Sequence, residues 1–184
     1  PEVGAAESGS SSQASSGVTA TGAATEWAIE AAPVDGLTVA AAYSEIEEKG
    51  KSTTAALSDN KEEMVAFATY AIGSVTLGYG QSYESLGNRS SGVATVEAYE
   101  NTMWGVSFSV NDNLTISYGE FESEKDMNAS ASVNVTMETE GFSIAYNLGG
   151  ATVKVAHNEL TNVNYLSTTG QTDEVTALEL SLAF

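Results

Sequence analysis

The sequence of 184 residues has no cysteine, one histidine and two prolines. Without thiols there is no disulfide framework, no thiolate zinc or iron–sulfur site and no cysteine nucleophile. The lone His157 excludes any centre that needs two imidazole ligands. Cations are scarce as well: 6 Lys and Arg stand against 25 Asp and Glu, a formal net charge of -19. So negative a surface repels phosphate backbones and no basic stripe interrupts it, so nucleic acid is not an expected partner. The longest apolar runs, such as Val39 to Tyr43 and Met64 to Ala68, are about five residues, where a spanning helix needs ~20. The opening Pro1-Glu2-Val3 carries no charged and apolar leader, so a mature, processed or partial chain is expected.

Residues 1–24 are rich in Gly, Ala, Ser and Thr and carry almost no large apolar side chain, as in Ser8-Gly9-Ser10-Ser11-Ser12. Such a segment buries too little area to offset its ordering entropy and reads as a loop or tail. From Thr25 to Phe184 the texture changes to apolar residues alternating with small polar ones, the period of a β-strand. Nine strands are predicted: Thr25 to Ala32, Leu37 to Ile46, Glu62 to Ile72, Val75 to Glu84, Val96 to Val110, Leu114 to Glu124, Ser132 to Leu148, Ala151 to Leu160 and Glu174 to Phe184. In the seventh the phase changes near Glu138 to Gly141, which predicts either a bulge or a strand top beyond the buried zone. No segment between the strands reads as a stable helix.

The connections alternate in length. Pro33-Val34-Asp35-Gly36, Gly73-Ser74, Asn111-Asp112-Asn113 and Gly149-Gly150 suit tight turns, whereas about Glu47 to Lys61, Ser85 to Thr95, Lys125 to Ala131 and Thr161 to Asp173 are long and polar. A meander with short turns at one end and long loops at the other is the layout of an outer-membrane barrel. One face of the strands is apolar; the other is built from Thr, Ser, Gly and Ala, with Glu26, Glu30, Lys154 and Glu179 as its candidate charges. Small polar residues suit a water-filled lumen better than they suit a packed core. Tyr43, Tyr70, Tyr79, Trp104, Tyr118 and Tyr146 fall near strand ends, where an interfacial aromatic girdle would sit.

The last strand places Leu178, Leu180, Leu182 and Phe184 on one face, in alternation with Glu179, Ser181 and Ala183. This resembles the assembly signal of bacterial outer-membrane barrels. Pro33 to Val39, Val110 to Gly119 and Ala151 to Val155 look like the strand-turn-strand units of Gram-negative general-diffusion porins, particularly the alphaproteobacterial kind, and the resemblance spans about Thr25 to Phe184. It implies a transmembrane antiparallel up-and-down β-barrel in the bacterial outer membrane, sixteen-stranded when complete, of which these nine strands would be the C-terminal part. It also implies a homotrimer, contact with lipid and lipopolysaccharide, handling by the barrel-assembly machinery, and a constriction loop in the half that precedes this one.

Other chemistry is thinly represented. His157 shares a face with Val153 and Val155, a structural or interfacial setting, and no GxSxG, Walker or dinucleotide motif occurs, so no catalytic residue is assigned. The clusters Glu45-Glu47-Glu48, Asp59-Glu62-Glu63, Glu120-Glu122-Glu124-Asp126 and Glu138-Glu140 could hold calcium or magnesium loosely at an outer rim, but their spacing fits no ordered ligand loop and a solvated rim is the simpler reading. No cofactor is expected. Asn-x-Ser/Thr triplets at Asn88, Asn113, Asn128 and Asn134 are chance matches in so Ser- and Thr-rich a chain. The expected function is passive diffusion of ions and small hydrophilic solutes, with acidic residues favouring cations. The competing expectation is an acidic all-β binding or adhesion module, either a secreted sandwich or a small barrel with recognition loops.

Overall fold

The computed structural model describes residues 20–49, 57–58, 60–89, 96–127, 133–166 and 172–182. They form β1 (Ala20–Val34), β2 (Leu37–Lys49), β3 (Leu57–Ser58), β4 (Lys61–Ile72), β5 (Val75–Ser85), β6 (Asn88–Arg89), β7 (Val96–Ser109), β8 (Leu114–Met127), β9 (Val135–Asn147), β10 (Ala151–Thr161) and β11 (Thr172–Leu182), with one 3-10 turn at Val163–Tyr165. Nine of the strands make one antiparallel sheet in the order β1-β2-β4-β5-β7-β8-β9-β10-β11, an up-and-down meander. The two-residue strands β3 and β6, which lie in segments read from sequence as plain loops, pair with each other. No helix among the described residues is long and apolar enough to cross a membrane, which bears only on helices.

The nine long strands coincide with the nine predicted segments, mostly to within one to three residues. The largest shift is at the start, where β1 begins at Ala20 instead of Thr25. Tight turns explain the pairing of neighbours. At Asp35-Gly36 and Gly73-Ser74 the glycines have φ of 78° and 60°, the left-handed region that a two-residue hairpin demands. In the Asn111 to Asn113 turn the Asn111 Oδ1 accepts from the backbone N–H of Asn113 and of Leu114, both at 2.9 Å, an Asx turn that fixes the register of β7 and β8.

Of the two readings of Glu138 to Gly141, a bulge or a strand top beyond the buried zone, the bulge is absent. β9 pairs without interruption with both β8 and β10 through these residues, and Glu138, Glu140, Phe142, Ile144 and Tyr146 share one face. What changes at Glu140 is side-chain chemistry, not strand phase. Register shifts occur instead between Thr21 and Ala24, between Ala31 and Val34, and between Val96 and Ala98.

The sheet is open. β1 and β11 are its edges, and because the number of strands is odd both run toward the short-turn end. Joining those edges directly would make a parallel pair; antiparallel closure needs an odd number of further strands. Among the described residues no second layer packs on either face, and of the apolar side chains only Ala98, at 2% exposure, is buried. The stability of this sheet cannot come from a core of the usual kind.

Candidate functional site

Pairing partners carry face identity from strand to strand, so the register divides the sheet into two chemically distinct surfaces. On one face lie Trp27 and Ile29 of β1, Leu37, Val39 and Tyr43 of β2, and Met64, Tyr70 and Ile72 of β4. It continues through Leu77 and Tyr79, Trp104 and Phe108, Ile116 and Tyr118, and Phe142, Ile144 and Tyr146. Val153 and Val155 of β10 and Leu178, Leu180 and Leu182 of β11 complete it. Nearly all exposed large apolar strand residues belong here, with Val65, Phe67 and Val175 as exceptions. Leu178, Leu180 and Leu182 are 76%, 61% and 54% exposed; Phe184 lies outside the described residues.

The apolar belt stops at a line, above which the same face is acidic. In β2 the change falls between Tyr43 and Glu45, in β4 between Met64 and Glu62, in β8 between Tyr118 and Glu120, in β9 between Phe142 and Glu140, and in β10 between His157 and Glu159. The line is oblique to the hydrogen-bond rows, moving from the row of Trp27, Tyr43, Met64 and Tyr83 to that of Leu77, Tyr118, Phe142 and His157. A displacement of about 20 Å over about 38 Å of sheet width inclines it by roughly 30°, close to the 35–45° strand tilt of closed barrels. Along a strand the belt covers about 16 Å at Leu114 to Tyr118 and about 30 Å at Met64 to Ile72.

All six candidate girdle residues, Tyr43, Tyr70, Tyr79, Trp104, Tyr118 and Tyr146, lie on this face. Several turn their polar atoms upward. Trp104 donates Nε1–H to Glu120 at 2.9 Å, and the Tyr118 hydroxyl lies 2.8 Å from both Glu120 and Glu140. Tyr43 donates to Glu45 at 3.3 Å, and Asn60 also donates to Glu45. Ring packing ties the girdle laterally: Trp27 and Tyr43 are 6.2 Å apart, Trp104 and Tyr118 5.6 Å. His157 sits on the same line, with Nδ1 2.9 Å from Thr176 Oγ1 and its ring 5.9 Å from Phe142.

Above the line Glu120, Glu140, Glu159 and Glu174 are successive cross-strand partners in one row of β8, β9, β10 and β11. Glu45 faces Glu62, Glu100 faces Glu124, and Glu122 faces Glu138. The acidic clusters expected at a solvated rim are largely strand residues continuing the apolar face, because the strands extend past the belt; Asp59 is outside the described residues. Among the described residues no three of His, Asp and Glu converge to hold a metal ion.

The opposite face is built from small and polar side chains. Gly78, Gly105, Gly119 and Gly141 are partners in a single row across β5, β7, β8 and β9, and Ser107, Ser117 and Ser143 form the next row. A Cβ would lie 3.0 Å from the Trp104 carbonyl oxygen at Gly119 and 2.9 Å from the His157 carbonyl oxygen at Gly141, so these two positions are crowded, whereas at Gly78 it would meet only an ordinary contact at 3.9 Å. Glu26, Glu30, Lys154 and Glu179 all stand on this face, with Lys154 and Glu179 directly opposite one another. Register adds Glu63 and Glu84, which follow Glu26 and Ser44 in one row. These acids border an open groove of about 770 Å³ lined mainly by this face, where Asn101 donates to Ser82 at 3.0 Å. Alternation alone leaves Glu63 unassigned, because Met64 to Ala68 is apolar on both faces; pairing with β2 and β5 settles it.

A part of the β10–β11 connection also rests on the polar face. Tyr165 packs its ring 5.3 Å from that of Tyr99, shares a hydrogen bond of 2.7 Å with the Ser123 hydroxyl, and lies under the Lys125 ammonium, 5.2 Å from the ring centroid. Ser123 is 2% exposed as a result. Nothing in the local sequence signals this contact, since the Ser123 partner is 42 residues away. Compared with protein-family models and with curated proteins, the chain matches none.

Proposed function

We propose that the chain forms part of the wall of an outer-membrane porin, through which ions and small hydrophilic solutes diffuse passively. The observation that supports this best is the uncovered apolar belt, continuous over nine strands and bounded by hydroxyl- and indole-bearing rings beneath carboxylates. An apolar belt inclined to the hydrogen-bond rows and edged by aromatic rings has the layout of the lipid-facing band of such barrels. In water a belt left open would forgo ~25 cal/mol for each Å² that the second layer of a soluble sandwich could cover.

On this reading the polar face lines the pore. Its acids Glu26, Glu30, Glu63, Glu84, Asp173 and Glu179 outnumber Lys61, Lys125 and Lys154. Fixed negative charge in a low-dielectric wall concentrates cations, so the pore prefers them. An odd number of further strands closes the barrel, the apolar outer wall provides contacts with lipid and for a homotrimer, and the acidic strand tops meet the lipopolysaccharide headgroups. Planar-bilayer recording of the detergent-extracted native protein in a salt gradient tests this. Stepwise openings with a cation-favouring reversal potential are expected. Folded protein that opens no channels would overturn the proposal and favour a binding module.

A further inference from the structure

Residues 162–166 differ from the other described connections in folding back over the polar face. The backbone is left-handed at Asn162, Asn164 and Tyr165, with φ of 54°, 58° and 57°. For tyrosine that conformation costs about 1–2 kcal/mol, so the contacts it enables must compensate. They are made on three strands: the Tyr165 ring on Tyr99 of β7, its hydroxyl on Ser123 of β8 beneath the Lys125 ammonium, and Asn162 Nδ2 donating to the Thr136 carbonyl of β9 at 2.8 Å. The backbone closes locally as well, Tyr165 N–H donating to the Asn162 carbonyl at 2.8 Å. Tyr99 and Lys125 share the hydrogen-bond row of Glu26, Ser44, Glu63 and Glu84, and because the belt boundary is oblique to the rows the segment stands farther above it than those acids, toward the long-loop end.

We infer that residues 162–166 form an inward ledge that narrows the pore near its long-loop mouth, with Tyr165 as its anchor and as the residue that holds Lys125 against the wall. The inference rests on the proposed pore. An ammonium fixed over an aromatic face keeps its charge and loses its mobility, so the ledge sets both the free cross-section and the position of one cation at the mouth. Removing the ring frees the ledge and lets Lys125 move.

The test uses single-channel recording of the full-length protein. Tyr165→Ala should raise conductance on the order of 1.5-fold, with Tyr165→Phe, which keeps the ring and loses the hydroxyl contact, close to the native value. Because the chain has no cysteine, Leu166→Cys gives a unique thiol at an exposed site with ordinary backbone, φ -98°. Reaction with a bulky water-soluble thiol reagent should cut the current through open channels, and this readout does not depend on Tyr165→Ala folding. Unchanged current after modification of Leu166→Cys, or native conductance in a folded Tyr165→Ala, would overturn the ledge while leaving the pore intact. Absence of channels in the native protein would overturn the pore itself, and the ledge with it.

Discussion

Gly36 and Gly73 occupy comparable hairpin turns, yet their surroundings differ. A Cβ on Gly36 would stand 2.2 Å from the Ala71 carbonyl oxygen, the neighbour that Gly36 also engages by accepting the Ala71 N–H at 2.8 Å. A Cβ on Gly73 would meet nothing within 4 Å. Both alanine variants bear the left-handed penalty, so Gly73→Ala should cost about 1–2 kcal/mol, whereas Gly36→Ala should cost about 3 kcal/mol or more because backbone must also move. Equilibrium unfolding in denaturant checks the difference, and equal losses would mean the hairpin relaxes freely. Carboxylate pairs are the second residue-level feature. Glu140 lies between Glu120 and Glu159 on neighbouring strands. Like charges directly opposite each other are destabilising, so Glu140→Gln should raise stability by up to about 1 kcal/mol at low ionic strength. The gain should shrink in 1 M salt, where the screening length falls to about 3 Å. A loss of stability would mean that the hydrogen bond accepted from Tyr118 outweighs the repulsion.

At the scale of the element, β11 separates the membrane reading from a soluble one. It is an edge strand exposing Leu178, Leu180 and Leu182 on one face and Glu179 and Ser181 on the other. If the first face meets lipid, Leu180→Arg should cost about 2–4 kcal/mol near the membrane midplane, while Ser181→Arg, one residue along and facing water, should be tolerated. The folded fraction in lipid vesicles, read from heat-modifiable electrophoretic mobility, measures both. Equal tolerance of the two would remove the lipid-facing assignment. Alternation is also what made the strands legible in sequence, since period-two patterning, Gly-containing turns and the Asn111 turn each act locally. The start of β1 is predicted late because Ala20 to Ala24 has no apolar contrast to mark strand, and at the acidic top of β9 alternation leaves a bulge and a strand top both open until the pairing decides between them.

For the whole molecule, the balance of charge on the polar face controls what the proposed pore favours. Glu26, Glu63 and Glu84 come from three strands into one row beside the groove. Replacing all three with glutamine should lower the cation-to-anion permeability ratio by a factor on the order of two, because neighbouring fixed charges act on one volume of water. Reversal potentials in a salt gradient give the ratio directly. If it stays unchanged, control lies with charges beyond this sheet. Detergent dependence is a broader check: the uncovered belt predicts aggregation when detergent is withdrawn, and a monodisperse detergent-free protein would contradict it.

The sequence by itself determined the class of secondary structure, the number of long strands, the alternation of short and long connections, and the split of side chains into an apolar and a small polar set. Each of these follows from backbone conformational preference and two-residue periodicity, which act between near neighbours. Only the tertiary structure decided the register, and with it the features that depend on strands far apart in sequence. These are the oblique line where apolar belt gives way to carboxylates, the row of four glutamates, the placement of Glu63 on the polar face, and Tyr165 resting on Tyr99 and Ser123. Local pattern cannot set such contacts, because a one-residue slip in any pairing would move every side chain of that strand to the other face.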